Sequence, residues 1–215
     1  MKPIIGVDFD NTIVCYDELF VKVARERFEL PTFACENKNA VRDYLRAEGR
    51  EDEWTELQGC VYGLRMSEAE PYPDAIECLR HWVHQGIDVY IVSHRSKWPY
   101  RGPQYDLHES ARRWLADRLF LDADGVGLRP DAAFFELTKH EKVARVHSLG
   151  CTHFIDDLPE VLSLLGDSAR TQRFLFDPHR QHSEVPQVRR VAAWKELNAA
   201  IGVVAATLQG AECHG

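Results

Sequence analysis

No stretch of this chain is apolar for long enough to cross a membrane as a helix, so no membrane partner is expected. The start, "MKPIIGVDFD", lacks a signal-peptide layout, because its short apolar run is broken by aspartates. There is no C-x-x-C pair. The six cysteines, at 15, 35, 60, 78, 151 and 213, are scattered, which argues against a zinc site or a disulfide frame and for reduced thiols in the cytoplasm. The ten histidines also lack ligand spacing, and His179 and His182 read as solvent-facing residues of a polar loop. Positive charge is scarce: 26 Lys and Arg stand against 34 Asp and Glu, a net charge of −8, which excludes a general nucleic-acid binder. Repeats and low-complexity tracts are missing too. Nothing in the pattern reports an oligomeric state.

What the chain does have is an alternation of strand-like and helix-like runs. "PIIGVDF" reads as a first strand. "DAIECLRHWVHQG" (74–86) reads as a helix capped by Asp74 and stopped at Gly86. Then follow "IDVYIVS" (87–93) as strand, 107–120 as helix, "AAFFEL" (132–137) as strand and 139–150 as helix. "THFID" (152–156) as strand, "LPEVLSLLG" as helix, "TQRFLF" (171–176) as the last strand and 192–208 as the closing helix complete the series. Apolar strands alternating with helices predict an α/β fold, a doubly wound, Rossmann-like parallel sheet covered on both faces. Residues 15–70 break the rhythm: three successive helical runs with no convincing strand predict a small helical cap inserted over the strand tips. The core resumes at 71–208, and 209–215 reads as a flexible tail.

The first strand ends in an oddity. "VDFDNT" places Asp8 and Asp10 two residues apart, on the same side of the strand's tip. Two neighbouring carboxylates repel each other, and each costs free energy to desolvate, so a cation is expected between them. A hard, oxygen-rich pair at the carboxyl end of a parallel strand suits Mg²⁺. Other strand tips supply matching groups: Ser93 ends "DVYIVS", Asp156 and Asp157 end "THFIDD", and Lys139 opens the helix before that strand. Acids, a hydroxyl and a cation ending successive elements of one sheet describe a phosphoryl-transfer site.

These motifs, "DFDNT" at 8–12, Ser93, Lys139 and "DD" at 156–157, resemble those of the haloacid dehalogenase (HAD) superfamily of phosphotransferases, with the insert in the position of that family's small cap. The resemblance implies that Asp8 is the nucleophile and that Asp10 is the acid/base, its backbone carbonyl helping to hold Mg²⁺. It implies that Thr12 orients the motif and that Ser93 and the backbone N–H of His94 hold the phosphoryl group. It also implies that Lys139 balances the charge and that Asp157 with Asp156 completes the metal site. Lys142, one turn further along, is the alternative lysine; the "TK" at the helix start favours Lys139. The polar, aromatic loop at 93–110 leaves the Ser93 strand directly. Its Arg95, Lys97 and Arg101, with Trp98, Tyr100 and Tyr105, are expected to grip a second anionic or ring-bearing part of the substrate. The expected function is a Mg²⁺-dependent phosphomonoester hydrolase acting on a small phosphorylated metabolite, a sugar phosphate or nucleotide. The alternatives are a phosphomutase on the same fold and a catalytically silent binding module.

Overall fold

A computed structural model describes residues 2–166 and 171–201. Six strands form a wholly parallel sheet: β1 (Ile4–Val7), β4 (Asp88–His94), β5 (Ala133–Glu136), β6 (His153–Asp156), β7 (Gln172–Phe176) and β8 (Val188–Val191). Their order is β5-β4-β1-β6-β7-β8. The chain thus winds outward from β1 first on one side and then on the other. The tips of β4, β1 and β6 lie side by side at the switch point, where such sheets open a crevice.

The faces are covered as the apolar spacing predicts. On one face, α4 (Ala75–His84), α5 (Leu107–Asp117) and α8 (Trp194–Ile201) bury Leu79, Trp82, Trp114, Trp194 and Leu197 against Ile5, Val7 and Ile155. On the other, α6 (Lys139–Ser148) and α7 (Pro159–Leu164) bury Val146, Val161 and Leu162 against Phe154, Val92 and Leu175. Gly6 is required in β1, since a Cβ there would lie 2.7 Å from the Phe154 ring. Gly86 and Gly150 end α4 and α6 in the left-handed conformation, as expected of helix-stopping glycines.

Some details differ from the sequence reading. Asp74 does precede α4, but it is itself left-handed and caps nothing; its carboxylate pairs with Lys195 at 3.2 Å. The strand at 171–176 is not the last, because β8 follows it at the sheet edge. Its sequence VRRV turns only Val191 fully inward, too little apolar signal for a strand to be read. The closing helix is described as far as Ile201; the rest of the expected helix and the tail at 209–215 lie outside the described residues. Among the described residues, no helix is long and apolar enough to cross a membrane.

Between β1 and α4 the chain is helical. It includes α1 (Asp17–Arg27), α2 (Lys38–Ala47) and α3 (Glu51–Gly59), the last running on into a π-turn at Cys60–Leu64. Two short antiparallel strands, β2 (Val14–Cys15) and β3 (Glu70–Pro71), form its stalk, a pairing too short for periodicity to reveal. The helices share the aromatic cluster of Tyr16, Phe20, Trp54 and Tyr62. α3 and its π-turn lie flush on the loop that follows β4. Gly59 and Gly63 permit this: a Cβ on them would stand 2.8 Å from Pro99 and 2.5 Å from Tyr105.

Candidate active site

The backbone after β1 turns sharply. Asp8 still donates its N–H to the Ile155 carbonyl at 2.9 Å, so its position is fixed by the sheet. Ile13 and Val14 then both donate to the Phe9 carbonyl, and Asn11 is left-handed at φ 57°, a conformation Asn tolerates better than most residues. From the far side of the sheet, the Trp194 indole N–H donates to the Thr12 carbonyl at 2.9 Å and pins the loop.

This turn places the two aspartates in different settings. Asp8 is buried, and its Oδ1 accepts from the Lys142 ammonium at 2.6 Å. Lys142 also lies 2.6 Å from Asp156 Oδ2, and all three side chains are almost wholly excluded from solvent. Burial alone would push the Lys142 pKa down, but the charges of Asp156 and Asp8 outweigh it and the net direction is up. Asp10 instead accepts a short 2.6 Å hydrogen bond from the Tyr16 hydroxyl. It sits 3.7 Å from Arg95 Nη1, with the Ser93 hydroxyl 3.5 Å away. Burial, reinforced by Asp10, holds the Tyr16 hydroxyl protonated far above the usual phenol range, so it can only donate to that carboxylate.

The lysine that reaches Asp8 is therefore Lys142, not Lys139. Lys139 is exposed at the start of α6 and pairs with Glu160 at 2.7 Å. The reason is position along the helix: Lys139, Lys142 and Val146 fall on one stripe of α6, but Lys139 is its first residue and stands a turn before Lys142, beside Glu160 of α7.

Oxygens of Asp8, Asp156 and Asp157 all lie within 4.8 Å of one another. The burial of Asp156, together with the charge of Asp8 and against that of Lys142, pushes its pKa up to about 7. Burial and the charges of Asp8 and Asp156 raise Asp157 well above the usual carboxylate range. Three converging carboxylates with a single lysine among them carry excess negative charge, and their hard oxygen donors fit a divalent cation such as Mg²⁺. Asp156 also accepts the Leu158 N–H at 2.9 Å. Asp157 faces open space and borders both cavities described next.

A cavity of about 250 Å³ opens over the strand tips. Asp8, Asp10, Ser93, His94 and Asp157 form its floor, α3 contributes Thr55, Gln58 and Gly59, its π-turn contributes Tyr62, and the loop after β4 contributes Arg95, Pro99 and Tyr100. His94 is kept neutral by burial and by the charge of Lys142, both of which lower its pKa. Of the expected substrate-binding residues, His94 and Arg95 are at this cavity. Arg95 is almost fully buried, its guanidinium between the Phe9 and Tyr62 rings. Lys97 and Arg101 are not at the cavity wall. Lys97 is half exposed, beside Asp106 and over the Trp98 ring. Arg101 reaches back to Asp52 and Glu56 of α3, at 3.0 and 3.2 Å. Both long side chains found carboxylates on the surface before they could turn inward. Tyr105 packs on Gly63. Thr12 also faces away from the cavity; it is buried, and its hydroxyl donates to Asp8 Oδ2 at 3.4 Å. His179 is exposed as expected and pairs with Asp17 at 3.1 Å.

Two residues beside the site, Tyr16 on Asp10 and Lys38 on Asn11, carry no signal in the sequence. Both belong to the helical segment, where an aromatic or a lysine reads as ordinary packing or surface.

No family model matches the chain. A Bacillus cereus protein described as "Putative nucleotidase" is 23% identical over 198 residues, spanning 89% of this chain and 94% of that protein. Among solved structures, a HAD family hydrolase from Deinococcus radiodurans, with bound phosphate and sodium, superposes with a TM-score of 0.54 at 15% identity, over 94% of this chain and 95% of that one. The L-2-haloacid dehalogenase of Xanthobacter autotrophicus, with chloropropionic acid covalently bound, superposes with a TM-score of 0.56 at 13% identity, over 95% and 100%. The chain has the HAD fold that its motifs imply.

Proposed function

We propose that this chain, built on the HAD fold, is a Mg²⁺-dependent phosphomonoester hydrolase that works through an aspartyl-phosphate on Asp8. The observation that carries the reading is the unequal setting of the two aspartates. Asp8 lies 2.6 Å from the Lys142 ammonium at the sheet tip. Asp10, at the same cavity, is held by Tyr16 and Ser93 where it can exchange a proton with a bound group. In the first step an Asp8 oxygen bonds to phosphorus and the ester oxygen leaves with a proton from Asp10. In the second, Asp10 takes a proton from water, whose oxygen attacks the same phosphorus, releasing orthophosphate and restoring Asp8. The Ser93 hydroxyl and the His94 N–H bind phosphoryl oxygens, and Lys142 holds Asp8 in place. Asp8, Asp157 and Asp156, with the Asp10 carbonyl, would hold Mg²⁺, which would supply positive charge against the phosphate and the carboxylates.

Both fold relatives place chemistry on this scaffold, one with phosphate bound and one with a haloacid. Asp10 favours phosphate esters, because halide is a good leaving group and needs no proton donor. A small phosphorylated metabolite fits a cavity of about 250 Å³. The nucleotidase description of the Bacillus cereus relative puts nucleoside monophosphates first among sugar phosphates and other candidates.

The experiment is phosphate release from an aryl phosphate and a panel of phosphorylated metabolites, with Mg²⁺ and with chelator. Mg²⁺-dependent release that falls by orders of magnitude in a folded Asp8→Asn variant is expected. Near-normal turnover by that variant refutes the mechanism. Turnover that requires added sugar bisphosphate shows a phosphomutase instead.

A further inference from the structure

A second cavity lies on the other side of Asp157, and Asn11, Asp157 and Leu158 border both cavities. Its wall includes Lys38, the first residue of α2. The Lys38 ammonium stands 5.8, 5.1 and 5.7 Å from the ring centroids of Tyr16, Phe20 and Tyr62. It donates to the Asn11 side-chain oxygen at 3.0 Å. No carboxylate among the described residues lies within ion-pair distance of it.

This is a costly place for a cation. Burial is the largest influence on Lys38 and acts to discharge it. A cation on the first turn of a helix also gains nothing from the helix dipole. Lys38 nevertheless remains charged, because Tyr62 and, at longer range, Asp157 and Asp10 reverse the direction. Nearby lysines and arginines behave differently: Lys139 and Arg101 have paired with surface carboxylates. Lys38 has no such partner among the described residues: its close neighbours are the Asn11 amide oxygen and three aromatic rings, with Asp157 and Asp10 acting at longer range. Desolvated charge of this kind is normally matched by an ion of opposite sign. The position, beside Asn11 and facing Asp10 and Asp157, says where that ion arrives.

We propose that Lys38 is an anion-binding residue of the substrate site, contributed by the helical segment, and that it pairs with an oxygen of the substrate's phosphate group next to Asn11. The inference rests on the phosphatase reading for the identity of the anion. It adds that the helical segment takes part in recognising phosphate, so that an anion in the site and the seating of α2 favour one another. It also predicts that neutral or weakly charged ligands are held less well than dianionic phosphate, since they leave the caged ammonium without a counter-charge.

The test is calorimetric binding of orthophosphate in the presence of Mg²⁺, which needs no turnover. Lys38→Met keeps the aliphatic packing among the three rings and removes the charge. We expect the Kd for orthophosphate to rise about tenfold or more, equivalent to about 1.4 kcal/mol, with partial recovery in Lys38→Arg. The melting temperature of the phosphate-free protein should not fall. Lys38→Gln serves where Met unsettles the fold. A folded Met or Gln variant that binds orthophosphate within twofold of the wild type overturns the inference. Equal loss in the Met and Arg variants overturns it as well, because the role then is packing and not charge. The two readings fail separately. Wild-type protein that binds orthophosphate through Lys38 but hydrolyses no ester rejects the hydrolase reading alone. Protein that hydrolyses esters and binds orthophosphate without Lys38 rejects only this inference.

Discussion

Lys142 lies 2.6 Å from Asp8 across 134 residues of sequence and, at the same distance, touches Asp156. One ammonium thus joins the tips of β1 and β6 from a helix that follows β5. Buried pairs of this kind add little net stability when complete, but losing one partner strands the others in a dry site.

Lys142→Met should therefore reduce kcat/KM on an aryl phosphate by about two orders of magnitude or more and destabilise the metal-free fold by about 3–5 kcal/mol. Lys139→Met removes only an exposed pair with Glu160, so activity should stay within a few-fold and stability within about 1 kcal/mol. Steady-state kinetics and urea unfolding of the two variants check this, and the reverse ranking would return the role to Lys139.

The carboxylate cluster makes stability depend on pH. Asp156 titrates near 7 in the folded chain against an ordinary value of 3.8, and Asp157 is raised too. Between those values the folded state holds protons that the unfolded state has lost, so stability falls as pH rises through that window. Metal-free protein should melt at progressively lower temperature from about pH 5 to pH 8. Mg²⁺ competes with the same protons, so its stabilising shift should be larger at pH 8 than at pH 5. A shift independent of pH, measured by thermal melts in chelator and in Mg²⁺, would contradict this account of the cluster.

The two arginines of the loop after β4 should part company. Arg101 is half exposed, and its links to Asp52 and Glu56 are surface pairs, so Arg101→Ala should cost about 1 kcal/mol or less and leave KM nearly unchanged. Arg95 is enclosed between Phe9 and Tyr62 next to Asp10. Arg95→Ala should lower stability by about 2 kcal/mol or more and lower kcat at least tenfold, because Asp10 loses its neighbouring cation. Comparable KM effects in both variants would show that the loop rearranges to bring Arg101 inward.

Close approach of the loop to α3 depends on two missing side chains. Gly63→Ala would put a Cβ 2.5 Å from that of Tyr105, with no flexible side-chain end to yield. A loss of about 1–3 kcal/mol is expected from this overpacking. Tyr105→Gly, which removes that Cβ as well, should recover part of it in a double-mutant cycle. Additive effects would mean the contact is not the cause.

Much of the molecule was written in local pattern. The alternation of apolar strands and amphipathic helices determined the doubly wound sheet, and residues confined to strand tips, Asp8, Asp10, Ser93, Asp156 and Asp157, were legible because a strand's end has a fixed place in such a sheet. Helix-borne and loop-borne groups were not. Lys139 and Lys142 stand one turn apart on the same stripe of α6, and which one reaches Asp8 follows from how α6 packs on the sheet. Lys97 and Arg101 look like ligand-binding cations until the fold brings Asp106, Asp52 and Glu56 within their reach. Tyr16 and Lys38 reach the site only because the helical segment folds back over the β1 turn. Sequence sets what a strand or a helix must bury; only the packing of one element on another decides where a long, flexible side chain finds its partner.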